Sequence, residues 1–529
     1  MRSVTLLLAA LHVALAPTVP GAKAQAPGLR HVLVIVGDDH AVRALGCYGD
    51  PHVRTPHLDR LAARGTRFTR AYANAPLCSA SRASLLTGAY PHATGVNLLF
   101  TPFDDARNRT LAEHFGEAGY RTALLGKRHW NEWIWAPLYA DGPPRFGFDV
   151  VADRPEYRAW LAARSPGSLP PDLATYPPTD APPPPRLRWN ADALPQPYRA
   201  VDSEAGFLAE SAVGFLRDCA AAGRPSLTWL AFHEPHAPFA FPVEAAADLP
   251  GVPAAPPPVG SEDTAHVPAV FAGLTPDERL GIRRAYYASV EHLDRQVGRV
   301  LDSLEAAGLL AETLVAYLGD QGYLLGEHGR FEKHTLWEEA VRVPLLLAGP
   351  GIARGREVDD LVELVDLAPT LCELAGLPPL LTAQGRSFAA VLGGSPPEHP
   401  HREAAFATYL EDNKAMIATR RWKYVFATGK RDLGQGYATG RPARGLEERL
   451  YDLRDDPGET RDVAREYPRT VDSLRRVALR RFAVTHPDAD ALPPYLDERG
   501  RMAWFCEPRD VGADFGGEPL RVSVRPSPR

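Results

Sequence analysis

The sequence predicts an α/β protein: a large, mixed but mostly parallel sheet sandwiched by helices, with a smaller C-terminal α+β subdomain. Short apolar runs rich in β-formers alternate with helical patterns along most of the chain. Four of those runs break directly into charged or imidazole residues. After about Gly394 the texture changes to hairpin-forming strands and a terminal helix.

The first residues read as an export signal. Arg2 is the positive start, "VTLLLAALHVALA" the apolar stretch and "AKA" (Ala22 to Ala24) a small-residue cleavage site, while Pro17, Pro20 and Gly21 argue against a buried helix. "HVLVIV" (His31 to Val36) is a buried strand, and "HLDRLAARG" a helix closed by Gly65. "TLAEHFGEAG" is a second helix, running into the strand "YRTALLG". "SLTWLAF" (Ser226 to Phe232), "TLVAYLG" (Thr313 to Gly319) and "VPLLLAG" are further strands. Between Thr275 and Gly308, Leu280, Tyr286, Val290, Leu293, Val297, Val300 and Leu304 form the core-facing stripe of a long helix. Two proline-rich stretches, Pro166 to Pro197 and Pro250 to Pro258, read as surface excursions. "MIATRRWKYVFA" forms a hairpin, "ERLYDLRDDPGET" a strand into a turn and "TVDSLRRVALRRFAV" a terminal helix. The expected division is a signal peptide over 1–24, a catalytic domain over 25–398 and a C-terminal subdomain over 399–529.

Bulk composition narrows the partners. The 529 residues are 45% hydrophobic and 23% charged, ordinary globular values, and the net charge of −6 with no basic block speaks against nucleic acid. No run after the leader is long enough to span a bilayer. The expected location is outside the cytoplasm: periplasmic or secreted, or lysosomal in a eukaryote. Five cysteines (Cys47, Cys78, Cys219, Cys372, Cys506) make neither a disulfide scaffold nor a zinc pattern. An odd count leaves at least one thiol unpaired, and Cys78, at a helix start with Arg82 four residues on, has the unusual setting.

The chemistry lies just past the ends of four strands, in Asp38-Asp39-His40, Lys127-Arg128-His129, His233-Glu234-Pro235-His236 and Asp320-Gln321. Singly each is ordinary: an acidic pair in a loop is usually solvated, and a Lys-x-His is usually surface decoration. At successive strand ends they converge, because parallel α/β sheets bind ligands beyond the carboxyl ends of their strands. Asp38, Asp39, Asp320 and Gln321 offer hard oxygen ligands suited to calcium or magnesium. Lys127, Lys333, Arg82, His129 and His236 add positive charge and donors, which describes a pocket for sulfate or phosphate.

"CSASRASLLTG" resembles the signature of the type I sulfatases, in which the cysteine is oxidised to Cα-formylglycine. "GDDH", "GKRH", "FHEPHAPF", "GDQGYLLGEHGRFEKH", "RVPLLLAGPG", "ELVDLAPTLCELAGLP" and "LYDLRDDPGET" occur in that family's order, so the resemblance spans nearly the whole chain after the leader. It implies an alkaline-phosphatase-like fold and sulfuric ester hydrolysis. It also implies a calcium ion on Asp38, Asp39, Asp320 and Gln321, with Cys78 as the formylglycine hydrate both nucleophile and metal ligand. Arg82 would stabilise the hydrate. Lys127, His129, His236 and Lys333 would surround the sulfate and leaving group, with His334 beside them on the substrate. A formylglycine-generating maturase is the implied partner in biogenesis. Ala80 stands where many members have proline, and Gln321 where asparagine or histidine is common, although its carbonyl can still ligate calcium. "GCYGD", "FHEPH" and "GEHG" resemble the iduronate-2-sulfatase-like glycosaminoglycan branch, making a sulfated saccharide the expected substrate. A phosphodiester or phosphonate monoester hydrolase of the same superfamily, a sulfamidase-like N-sulfate hydrolase, and a non-catalytic carbohydrate-binding homologue are the alternatives.

Overall fold

The computed structural model describes residues 25–130, 145–164, 193–196, 199–242, 245, 250–252, 259–260, 267–394, 399–429 and 445–510. The expected leader over 1–24, nearly all of the proline-rich stretch at 166–197 and residues 253–258 of the second lie outside the described residues.

Fifteen strands are described: β1 (His31–Gly37), β2 (Thr66–Tyr72), β3 (Arg121–Gly126), β4 (Val150–Ala152), β5 (Ala193–Gln196), β6 (Ser226–Ala231), β7 (Phe239–Pro242), β8 (Thr313–Gly319), β9 (Arg342–Val343), β10 (Leu345–Ala348), β11 (Arg356–Glu363), β12 (Ala405–Tyr409), β13 (Lys414–Ala418), β14 (Trp422–Ala427) and β15 (Glu447–Asp452). Nine form the main sheet in the order β11-β2-β10-β8-β1-β6-β3-β4, with β9 on β2. Pairing is parallel except at β10, antiparallel to both neighbours, and at β9. The mixed, mostly parallel sheet expected from the sequence is therefore present.

Every residue of β1, β6 and β8 is buried, because both faces of the sheet are covered. Val32, Val34, Val36 and Trp229 point into one core. Leu33, Ile35, Leu230 and Tyr317 point into the other, under the helices Glu204–Ala221 and Pro276–Ala306. The long helix starts where its sequence says it should. Thr275 caps it, with Glu278 closing a capping box and proline in the first turn.

The C-terminal sheet, β12-β13-β14-β15, is antiparallel throughout. Phe406, Ile417, Tyr424 and Leu450 on one face pack on Val471, Leu474 and Phe482 of the helix Pro468–Thr485. Ala407, Tyr409 and Met416 on the other face pack on Tyr72, Val341 and Leu361 of the main sheet region. Near the end of the described chain, Asp510 accepts hydrogen bonds from Asn97 N at 2.7 Å and Leu98 N at 3.0 Å. Among the described residues no helix is long and apolar enough to cross a membrane.

Candidate active site

The four strands whose ends carry the charged residues, β8, β1, β6 and β3, are consecutive and mutually parallel. Their last residues lie level, with Gly37 opposite Gly319, Val36 opposite Ala231, and Ala231 opposite Gly126. The four segments therefore leave the sheet side by side at one edge.

Backbone bonds then fix the exits. Asp38 N donates to Glu234 O at 3.1 Å, Lys127 N to Ala231 O at 2.9 Å and Asp320 N to Gly37 O at 3.2 Å. Asp39 takes a left-handed backbone, φ 62°. The Tyr286 hydroxyl clamps it, donating to Asp39 O at 2.6 Å and accepting from Ala41 N at 2.7 Å.

Cys78 is the first residue of the helix Cys78–Thr87, wholly buried against these exits. Ser81 donates through its hydroxyl to Asp320 O. Arg82 donates from Nε to Asp320 Oδ2 at 2.7 Å and from Nη1 to Lys127 O at 2.7 Å, locking the helix to two of the strand ends.

The Cys78 sulfur, 1% exposed, is ringed by donors. Lys333 Nζ lies 3.0 Å away, Gln321 Nε2 3.1 Å and Lys127 Nζ 4.0 Å. Lys333 also holds both oxygens of Asp39, at 2.7 and 2.8 Å, and Lys127 holds Asp38. His236 Nε2 is 3.6 Å from Asp39 Oδ2. Its Nδ1 meets Ala237 O, and since a carbonyl only accepts, Nδ1 carries the hydrogen and Nε2 is the nitrogen left for proton exchange. Asp38, Asp39, Cys78 and His236 each bring a ligand atom within 4.8 Å of the others.

Asp320 is placed differently. Its Oδ1 accepts from Asp39 N at 3.1 Å and Gln321 N at 3.0 Å, and its Oδ2 faces Arg82, so it braces the acidic pair. His129 presents a buried, unpartnered Nδ1 on a left-handed backbone, φ 57°. His334 stands off the cluster, 6.2 Å ring to ring from Tyr409 and 3.6 Å from Glu332.

Burial shapes the electrostatics. It pushes the Cys78 thiol up to about 12, despite the pull of Lys127 and Lys333. It would raise Asp38 too, but Lys127, His236 and Arg82 together hold that carboxyl well below the usual range. Asp320 goes the other way, raised by burial with Asp38 and Asp39 against Arg82. Burial and the two lysines press His236 down to about 3, and burial with Lys127 lowers His129.

The donor set fits a hard divalent cation. Asp38, Asp39, Asp320 and Gln321 are almost fully buried, and Asp38 Oδ1 and Gln321 Oε1 are acceptors without a hydrogen-bond partner. Buried oxygens without donors are what a cation satisfies. Tyr286, Ser81 and the Glu234 carbonyl are site-building groups that sequence reasoning missed. Tyr286 falls on the apolar stripe of its helix, and nothing local marks its hydroxyl.

The chain also resembles known proteins over most of its length. A sequence model of the Sulfatase family matches residues 30–377, and one described as N-sulphoglucosamine sulphohydrolase, C-terminal, matches 326–477. Iduronate 2-sulfatase of Mus musculus is 30% identical over 429 residues, covering 71% of this chain and 74% of its own. Choline-sulfatase of Rhizobium meliloti (strain 1021) is 28% identical over 496 residues, covering 85% and 86%. Among solved structures, the phosphonate monoester hydrolase of Agrobacterium radiobacter shares the fold with a TM-score of 0.70 at 24% identity, covering 89% of this chain and 98% of that one. With strand ends, acidic pair and cysteine-headed helix so arranged, and with a family match over well over half its length, the chain belongs to the sulfatase family, hydrolases of sulfuric esters with an alkaline-phosphatase-like fold.

Proposed function

We propose that the protein removes sulfate from a sulfated saccharide of glycosaminoglycan type, using formylglycine made from Cys78 and one calcium ion on Asp38, Asp39, Asp320 and Gln321. The observation that carries this reading is the setting of Cys78. A thiol pushed up to about 12 stays protonated at neutral pH and is a weak nucleophile, yet both lysines of the site converge on it. As a hydrated aldehyde the residue would offer two hydroxyls on one carbon, one to attack sulfur and one to release the sulfate. Calcium would add positive charge against the sulfate oxygens.

The remaining roles belong to groups present in the chain. Lys127 and Lys333 bind the sulfate oxygens, and Arg82 holds Asp320 where it takes the proton of the attacking hydroxyl. His236 takes a proton on Nε2 as the anionic ester offsets the field of Lys127 and Lys333 that holds the imidazole down, and passes it to the leaving oxygen, with Lys333 beside it; His129 Nδ1 takes the proton that frees sulfate. His334, next along the chain from Lys333 but standing off the cluster, is assigned to the substrate beyond the sulfate. Similarity to iduronate 2-sulfatase and to the N-sulphoglucosamine sulphohydrolase segment supports a sugar substrate. Export through 1–24 to a periplasm, lysosome or medium, maturation by a formylglycine-generating enzyme, and a division of labour at 398/399 belong to the same proposal.

The test is a mass spectrum of the Cys78 peptide from protein made in its own host. Conversion lowers the peptide mass by about the mass of one water; intact cysteine in every molecule would defeat the mechanism. Cys78→Ala should fold with an unchanged Tm and lose all turnover of sulfate esters. Rates on O-sulfate, N-sulfate, phosphodiester and phosphonate monoester substrates should rank the O-sulfate first, and a phosphodiester preference would overturn the assignment.

A further inference from the structure

Beyond the groups that face Cys78, a second charged cluster joins the same loops. His233 lies just past β6, Glu204 opens the helix Glu204–Ala221, and Asp153 directly precedes the helix Arg154–Arg164. His233 Nε2 is 3.2 Å from Glu204 Oε1 and 3.8 Å from Asp153 Oδ1. The other oxygen of Asp153 is 3.7 Å from Arg128 Nε, and Glu204 Oε2 is 3.5 Å from Arg154 Nε. Arg128 sits between Lys127 and His129, and His233 three residues before His236. One carboxylate thus has an oxygen on each of the two loops that deliver the site's cations and acid.

We propose that Asp153 and His233 are positioning residues: with Glu204 they tie the Lys127–His129 loop to the His233–His236 loop and so set His236 for protonation of the leaving oxygen. The proposal rests on the assignment of that role to His236.

Five observations carry it. The anchor is rigid, because Asp153 is fixed by Arg154 N donating to its Oδ1 at 2.8 Å and by its own N donating to Glu156 at 2.8 Å. The two helices that supply the carboxylates are themselves joined, the Tyr157 hydroxyl donating to Asp202 O at 3.0 Å beside Glu204. Both carboxylates lie at helix starts, where unpaired backbone N–H groups favour negative charge. The charges are also complementary. Arg128, Arg154 and a His233 imidazole that Glu204 and Asp153 raise against the effect of burial face the two carboxylates. The backbone of the His233–His236 loop is pinned at Phe232 N to Val36 O, 2.9 Å, and at Glu234 O to Asp38 N, 3.1 Å. The His233 side chain anchors the stretch between these two points, just before the turn that carries His236.

Leaving-group acidity separates positioning from mere stability. 4-Nitrophenolate leaves without a proton, whereas a sugar alkoxide needs one. In mature enzyme, Asp153→Asn keeps the size and helix-capping capacity of the residue while removing its charge, and His233→Gln is the second variant should the first fold poorly. Each is expected to lower kcat on glucosamine 6-O-sulfate by about ten- to a hundredfold, with KM nearly unchanged, since small misplacement of an acid is costly. On 4-nitrophenyl sulfate kcat should change by less than about twofold, and Tm by at most about two degrees. Equal losses on both esters, or no loss on either, would overturn the proposal. A wild-type enzyme idle on both esters would instead overturn the sulfated-saccharide reading on which the role of His236, and with it this proposal, rests.

Discussion

The hydroxyl of Tyr286 is one oxygen atom on a helix that otherwise packs as core, yet it holds the acidic pair in its working conformation. It closes Asp39 O and Ala41 N, two buried backbone groups with no other route to water. Removing it leaves both unsatisfied, a cost of about 1–3 kcal/mol each by the usual desolvation penalty. Tyr286→Phe is therefore expected to lower Tm and to weaken binding of the proposed calcium ion, read by titrating metal into the purified variant; an affinity equal to that of wild type would contradict the clamp. The same residue shows where sequence reading stops. Its position on the apolar stripe is legible from the spacing of Leu280 to Leu304, but the partner of its hydroxyl lies 247 residues away, joined only by the fold. Asp38, Asp39, Lys127 and His236 were legible because each comes soon after an apolar run. Asp153, an ordinary polar residue in ordinary surroundings, carries no such mark, and Ser81, although inside the cysteine signature, gives no hint of its bond to Asp320 O.

At the scale of elements, the end of β3 is the most exacting place in the sheet. Gly126 has φ 96°, and a side chain there would meet Ala231 O at 2.1 Å, the same carbonyl that Lys127 N engages. Gly126→Ala is expected to prise β3 from β6, displacing Lys127 and lowering stability by about 3 kcal/mol or more, a sum of left-handed strain and overpacking. Thermal unfolding of the variant checks it, and a Tm within about one degree of wild type would show that the strand pair gives way freely. The strands themselves were readable because burial on both faces demands continuous apolar runs. The direction of β10 was not readable. "VPLLLAG" states that it is a strand, but its direction, continuing from β9 along β2 and antiparallel to both β2 and β8, is defined only by tertiary pairing.

Across the whole molecule, the larger and smaller parts share a core, with Tyr90 and Val365 packed among C-terminal residues. His92 and His486 stack at that junction, rings 5.4 Å apart. Burial, with Arg509 next, lowers His486 from 6.5 to about 4, and burial with His486 and Arg481 holds His92 well below its usual range. A histidine depressed in the folded state binds protons more readily when unfolded. The stability it contributes is thus complete above pH 6.5 and is lost as pH falls through about 4. Tm is expected to drop over that window, and His486→Gln to make the drop shallower; an identical slope in the variant would exclude the pair as its source. Asp510 adds an element of time. It fastens Asn97 and Leu98, and Leu98 O in turn accepts from the Ser79 hydroxyl beside Cys78 at 3.3 Å. That wall cannot close until about 430 residues after Cys78 have been made, which at about 5–20 residues per second is roughly 20 to 90 seconds of synthesis. The last stretch of the chain is thus a clock for the first: it sets how long the segment around Cys78 stays uncovered before the fold shuts over it.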